Sequence, residues 1–527
     1  MNEPTHGYGL RMWILVLLAL PGLARGTGVT LITHGYGGNT DGWVTGMADA
    51  VSRYSRFPGT NFTTYKITVS KSGSSYLFAT SRTNGSAPAL TDSGEIIVKL
   101  DWRSLAGGLF PDTTYNVAAA TALALQQTNL IAELGGHALT EFPMHLIGHS
   151  RGGSLVCELS RDLGTNGLWI DHLTTLDPHP LNNDGFSDII FGVDAPARTY
   201  VNVLYHDNYW EDIQSYPYGE PVAGAYVRKL DNYGGGYGAG SEHSNVHLWY
   251  HGTIDWRTPI SDREASITGA ERTNWWVAYE SQGVVAGFLY SLIGGGDRLS
   301  LDQPVGPGFQ AIRDGFNQHW DLGIAGVTNR TLLPSNTGNW ANLIRLNRLD
   351  TNSVLQGHDV PVKFYYQWAQ PPASTANLSF YLDDDLNPLN ANDHLLKQMT
   401  LPGTGTGYVS YANVALTLDA TNASPGYHAI YARLTAGNRT RYLYAPEWVQ
   451  VISSQAPPTL EVARFNSTQV VVGVNAEIGQ TIVLQTSTDL DAWLPLITNT
   501  MAGDHWSYTN SLVVPPVQRF YRAVLTP

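Results

Sequence analysis

The segment Met144-His-Leu-Ile-Gly-His-Ser-Arg-Gly-Gly-Ser-Leu-Val-Cys-Glu-Leu-Ser160 holds a strand, a tight turn and a helix start in direct succession. Met144–Ile147 is a short apolar run of the kind that forms a buried strand. Gly153–Ser160 reads as helix. Between them lies Gly148-His149-Ser150-Arg151-Gly152, a G-x-S-x-G pattern. A serine presented on a sharp strand-to-helix turn needs glycines where side chains would clash, so the context predicts Ser150 as a nucleophile. A purely structural glycine turn is the alternative, since 54 glycines make chance matches common.

Working outward, four more β-rich apolar runs surround this turn: 29–33, Glu95–Asp101, His172–Leu176 and Tyr200–Tyr205. Between the second of the five runs and Met144 lies the Ala/Leu-rich stretch Tyr115–Leu134, which favours helix and ends at Gly135-Gly136. Strand, helix, strand at this spacing predicts a βαβ unit, and hence an α/β domain with a mostly parallel sheet over 25–335. Helical patterning returns at Glu271–Leu292. After about 335 the character changes to short alternating runs, such as Val360–Tyr366 and Tyr427–Arg433, separated by turn residues. These predict two all-β, sandwich-like domains, 336–453 and 459–527, joined by the Pro-rich linker Ser453–Pro458.

Composition narrows the function classes. The 527 residues carry a net charge of −14 and no Lys/Arg-rich run, which argues against nucleic-acid binding. Apolar residues make up 43% and charged residues 14%, too apolar for general disorder. Cys157 is the single cysteine, so no disulfide framework exists. Arg11, the apolar run Met12–Leu20, Pro21, and small residues at Gly22 and Ala24 have the layout of a secretory signal peptide over 1–24. The expectation is a secreted or cell-surface protein, and the near absence of cysteine fits a bacterial one.

An acyl-transfer site needs more than a serine. Thr33-His-Gly-Tyr-Gly-Gly38 follows the first strand, where a Gly-rich loop can aim N–H groups at a developing oxyanion. Tyr36 and Arg151 would supply the two backbone donors, the second at a helix N-terminus. The acid is Asp177, ending the next strand, or Asp207, ending the one after; either could simply cap a turn. The base must be a histidine beyond the acid, and His243, His247 and His251 fall within nine positions. Three histidines at helical spacing could instead bind metal, although no cysteine or carboxylate cluster accompanies them. Asp383-Asp-Asp-Leu-Asn387 partly imitates a calcium loop, but Pro388 and His394 stand where glycine and glutamate belong, so a solvated turn is the reading. No metal or other cofactor is expected. The Tyr- and Gly-rich stretch Tyr205–His247 would form an aromatic wall or lid over the site.

Together these motifs resemble the α/β-hydrolase superfamily, and within it the pancreatic-lipase-like lipases. The matching pieces are Leu31–Tyr36, Leu100-Asp101-Trp102 with Tyr115-Asn116, His145–Ser150, Thr175–Pro178 and His247-Leu-Trp-Tyr250. The resemblance implies an α/β-hydrolase core and favours Asp177 as acid and His247 as base. It implies a secreted serine ester hydrolase working through a Ser150–His247–Asp177 triad and a covalent acyl-enzyme, on a lipid or small acyl ester. The family's disulfides and its lipid-associating C-terminal sandwich are not recognisable here. The tail Gln485–Trp493 through Arg519–Arg522 is similar to C-terminal modules of secreted bacterial proteins, which implies contact with a surface or polysaccharide. The rival readings are an esterase on acylated polysaccharide, a peptidase, and a catalytically inactive surface-binding protein with a hydrolase fold.

Overall fold

The computed structural model describes residues 28–53, 62–254, 260–272 and 330–525, apart from short breaks, together with positions 275 and 288. The expected leader 1–24, most of the helical stretch 271–292 and linker residues 453–456 lie outside the described residues.

The fold class is corrected. Strand makes up 42% and helix 17%, so the protein is mostly β, not an α/β-hydrolase followed by β domains. The physical reasons are local. Helix over 115–134 stops at Leu125, where the chain turns through a short 3-10 segment and Gly135 at φ 63°. Most of the 271–292 stretch lies outside the described residues, and a short helix, Gly269–Arg272, runs into its start. A long hairpin, Thr63–Ser72 and Ser75–Asn84, was not expected at all. Its alternation buries Tyr65, Ile67 and Val69, and Gly73 at φ 61° makes the turn.

One sheet positions the site. Its strands are β1 (Val29–Thr33), β2 (Thr63–Ser72), β3 (Ser75–Asn84), β4 (Ile96–Asp101), β5 (Met144–His149), β6 (Ile170–Leu176), β7 (Val203–Trp210) and β8 (Tyr226–Lys229), in the order β3-β2-β4-β1-β5-β6-β7-β8. All neighbours are parallel except the β2/β3 hairpin. The register sets Thr33 beside Gly148 and His149 beside Leu176. Three consecutive strands in space therefore end together, and their following loops carry Gly35–Gly38, Ser150 and Asp177. Strand residues alternate between two cores, as the two-residue period requires. Leu31, Val98 and Leu146 face one core with Val117 and Leu155. Ile32, Ile97 and Ile147 face the other with Val44 and Trp249. The helices contributing to these two cores are α1 (Trp43–Arg53), α2 (Arg103–Ala106), α3 (Thr114–Leu125), α4 (Arg151–Thr165) and α5 (Glu242–Ile254).

The strands of 342–444 form part of the same compact unit as this sheet. Asn342–Arg348, His358–Gln367 and Val409–Leu418 make one sheet; Gly426–Ala436, flanked by Thr375–Asp383 and Arg439–Tyr444, centres another. Trp340, Tyr431, Tyr442 and Tyr444 join the core that contains Leu146 and Leu155. Arg441, 1% exposed, donates to the carbonyls of Thr140 and Phe142 and pairs with Asp171 at 3.1 Å. A second unit, with two three-stranded sheets between Thr459 and Leu525, closes over Val472, Val474, Ile482 and Leu484.

Candidate active site

Ser150 sits between β5 and α4 at φ 57°, ψ −128°. For a residue with a Cβ this is a strained conformation, costing on the order of 1–3 kcal/mol. It is held by hydrogen bonds from the Ser150 N–H to the Leu176 carbonyl, 2.9 Å, and from the Gly153 N–H to the Ser150 carbonyl, 2.8 Å. The glycines of the turn are demanded by contact. A Cβ on Gly148 would collide with the Gly152 oxygen, and one on Gly152 would lie 2.6 Å from the His34 oxygen. A Cβ on Gly35 would meet the Ser150 Cβ at 2.6 Å, so only glycine lets the first loop approach the serine.

That loop is pinned from behind. The Trp102 indole N–H donates to the His34 carbonyl at 3.0 Å, and the two rings stack at 5.8 Å. The Arg151 guanidinium lies 5.0 Å from the centroid of the Trp102 ring and forms a buried two-pronged pair with Asp194 at 2.6 and 2.7 Å. Asp194 was not foreseen as a site-building residue. Fixing the side chain of Arg151 fixes the first turn of α4. Among the described residues no hydrogen-bond acceptor faces the backbone N–H of Tyr36 or of Arg151. These are the two donors proposed for an oxyanion.

Asp177 follows β6 at φ 46° and is fully buried. Its N–H donates to the Tyr209 carbonyl at 2.7 Å, and its Oδ1 accepts the Glu211 N–H at 2.8 Å. Its Oδ2 lies 2.6 Å from His243 Nδ1. Burial raises its pKa, and the hydrogen bond and charge of His243 pull it back down.

The histidine paired with Asp177 is thus His243, not His247. All three candidates lie on α5, and helical spacing puts them near one face, but axial position separates them. His243 is in the first turn, nearest the loop that carries Asp177. His247, one turn further, stacks on Trp43 at 4.3 Å and faces Asp262 at 3.4 Å. His251, a turn beyond, is buried within the helix packing. The alternative acid Asp207 is taken up elsewhere: its Oδ1 accepts from Thr174 at 2.5 Å and faces His172 at 2.8 Å, and its Oδ2 accepts from Tyr209 at 2.9 Å. None of these partners is a candidate base.

The Tyr205–His247 stretch is less of a lid than expected. Tyr205 and Tyr209 are buried strand residues. The glycine-rich part is clamped to α5, with the Tyr237 N–H on Asn245 and the Asn245 amide on the Gly235 carbonyl. Exposed apolar side chains instead come from two other loops. Leu109, Phe110, Ile189, Phe191 and Val193 are all more than half exposed, and Phe110 stacks on Phe191 at 4.8 Å. This rim adjoins the oxyanion loop, because the Tyr36 hydroxyl donates to the Gly108 carbonyl at 3.0 Å. In 383–389, successive Asp and Asn side chains accept backbone N–H groups two residues on, so they serve the turn itself. Among the described residues no group of three His, Cys, Asp or Glu is arranged to hold a metal ion.

No family model and no curated protein matches the chain. Among solved structures, a chain described as a polysaccharide monooxygenase of the CBM33 type is similar at 16% identity, covering 25% of this chain and 70% of that one, with a TM-score of 0.14. A likeness of that size carries no argument about fold or activity.

Proposed function

We propose that the protein is a serine ester hydrolase in which Ser150 attacks an ester carbonyl, His243 is the base and Asp177 orients it. The observation that carries this reading is the 2.6 Å Asp177–His243 pair, whose imidazole lies 4.5 Å from the ring of His149, the residue before a serine held at φ 57°. Asp177 accepts the hydrogen bond of the His243 Nδ1–H, so Nε2 is the nitrogen that takes the Ser150 proton and later returns it to the leaving alcohol. The N–H groups of Tyr36 and Arg151 would stabilise the tetrahedral oxyanion. Backbone strain at Ser150 favours this over an inactive binding protein, since such strain gathers at functional sites.

The apolar rim favours an ester whose acyl part is hydrocarbon over an acylated sugar or a peptide. The reading predicts turnover of p-nitrophenyl esters, lost by at least ~10³-fold in Ser150→Ala with the fold intact. Phe110→Ser with Phe191→Ser should depress turnover of octanoyl more than of acetyl esters. A folded Ser150→Ala protein with full activity would reject the mechanism. Equal loss on both esters would reject the role of the rim.

A further inference from the structure

We infer that His149, the residue before the nucleophile, is a positioning residue: it holds the helix of the base in register with Ser150 by donating its Nε2–H to the main-chain carbonyl of His243. The inference rests on Ser150 and His243 acting as nucleophile and base. The contact is 2.8 Å long and joins residues 94 apart in the chain. It links the last residue of β5 directly to the first turn of α5, the two elements whose separation sets the distance from serine to base. A misplacement of about 1 Å between such groups can cost ~10²-fold in rate.

The surroundings fix the state of the ring. A carbonyl only accepts, so Nε2 must carry the proton. His149 is 6% exposed and packed among three rings: Trp43 edge-on at 5.7 Å, His243 at 4.5 Å and His247 at 4.7 Å. Burial, then the charges of His243 and His247, drive its pKa well below the ordinary histidine value, so it stays neutral. That neutrality has a purpose in the cycle. When His243 takes the serine proton its imidazolium is faced by Asp177, by His149, and by His179 at 6.4 Å. A second cation at 4.5 Å would oppose that proton transfer, whereas a neutral ring does not. His247, the other titratable neighbour of His149, faces Asp262 and Tyr237.

The test uses the full chain and three variants. His149→Gln keeps an N–H donor near the position of Nε2. His149→Phe fills the space without a donor, and His149→Asn is too short to reach the carbonyl. For p-nitrophenyl acetate, His149→Phe and His149→Asn should lose on the order of 10–100-fold in kcat with KM little changed. His149→Gln should stay within about fivefold, with the acid limb of its pH–kcat/KM profile where the parent has it. If His149→Phe fails to fold, the Asn and Gln pair decides the matter. A space-filling role alone would lower thermal stability in the shorter Asn variant and leave the kcat of Phe at the parental value. That result, or a Gln variant as slow as Asn, overturns the inference. Failure of the parent to react with a fluorophosphonate at Ser150 rejects the underlying reading instead.

Discussion

Replacing Asp177 by Asn separates the two acid candidates sharply, because the hydrogen bonds dictate how the amide must sit. The Glu211 N–H donates to Oδ1 at 2.8 Å, so an asparagine must place its carbonyl oxygen there. Its NH2 group then occupies the Oδ2 position, 2.6 Å from His243 Nδ1. Two donors cannot face each other, so His243 shifts its proton to Nε2 and can no longer take one from Ser150. Loss of the correct tautomer costs up to ~10⁴ in turnover, equivalent to about 5 kcal/mol of transition-state stabilisation. Asp207→Asn disturbs a different set, Thr174, His172 and Tyr209, all inside the sheet. Its cost falls on stability, roughly 1–3 kcal/mol for a buried group left mispaired, with turnover within about threefold. Steady-state hydrolysis of a soluble ester and urea unfolding, measured on both variants, give the answer. A crippled but folded Asp207→Asn beside a nearly normal Asp177→Asn would refute the reasoning.

Other consequences are more local. Cys157 is fully buried on α4, and burial pushes its thiol up to about 12, so iodoacetamide should modify it only after unfolding; rapid native-state alkylation, read by mass spectrometry, would contradict its placement. Arg441→Met leaves Asp171 buried without its counter-ion and should cost about 3–5 kcal/mol in urea unfolding; a change below about 1 kcal/mol would mean that Arg441 does not tie the 342–444 strands to the sheet. Glu158 is pushed up to about 7, first by burial, against an opposing pull from Arg161. Its folded pKa lies above the ordinary value, so its stabilising contribution is complete below the unfolded pKa and is lost as pH rises through about 7. Thermal midpoints between pH 5 and 8 should fall with pH and flatten in Glu158→Gln; an unchanged slope in that variant would contradict the assignment.

Much of the site could be read from short-range pattern, and the parts that could not depend on long-range partners. The strand–glycine–serine–helix succession is local chemistry, and the Ser150 turn follows from it. Strand order left Asp177 and Asp207 both open, and the family resemblance favoured Asp177. His243 and His247 share a helix face and differ only in which turn reaches the acid, which no periodicity reveals; the His-Leu-aromatic pattern drew attention one turn too far. The carboxylates that resolve the choice, Asp177 for His243 and Asp262 for His247, come from distant loops. Asp194 was equally invisible, since its role exists only once Arg151 folds back on it. The 63–84 hairpin did carry a signal in the alternation of Tyr65, Ile67 and Val69, with Gly73 at the turn. The α/β class was misjudged because the 115–134 stretch was taken as helix throughout although it stops at Leu125, and because the 63–84 hairpin was missed.

The most direct measurement is reaction of the full chain with a fluorophosphonate, followed by peptide mapping of the adduct. The account predicts a single adduct on Ser150, absent in Ser150→Ala, strongly slowed in His243→Ala and retained in His247→Ala. An adduct on another residue, or labelling of Ser150 at the parental rate in His243→Ala, would contradict it.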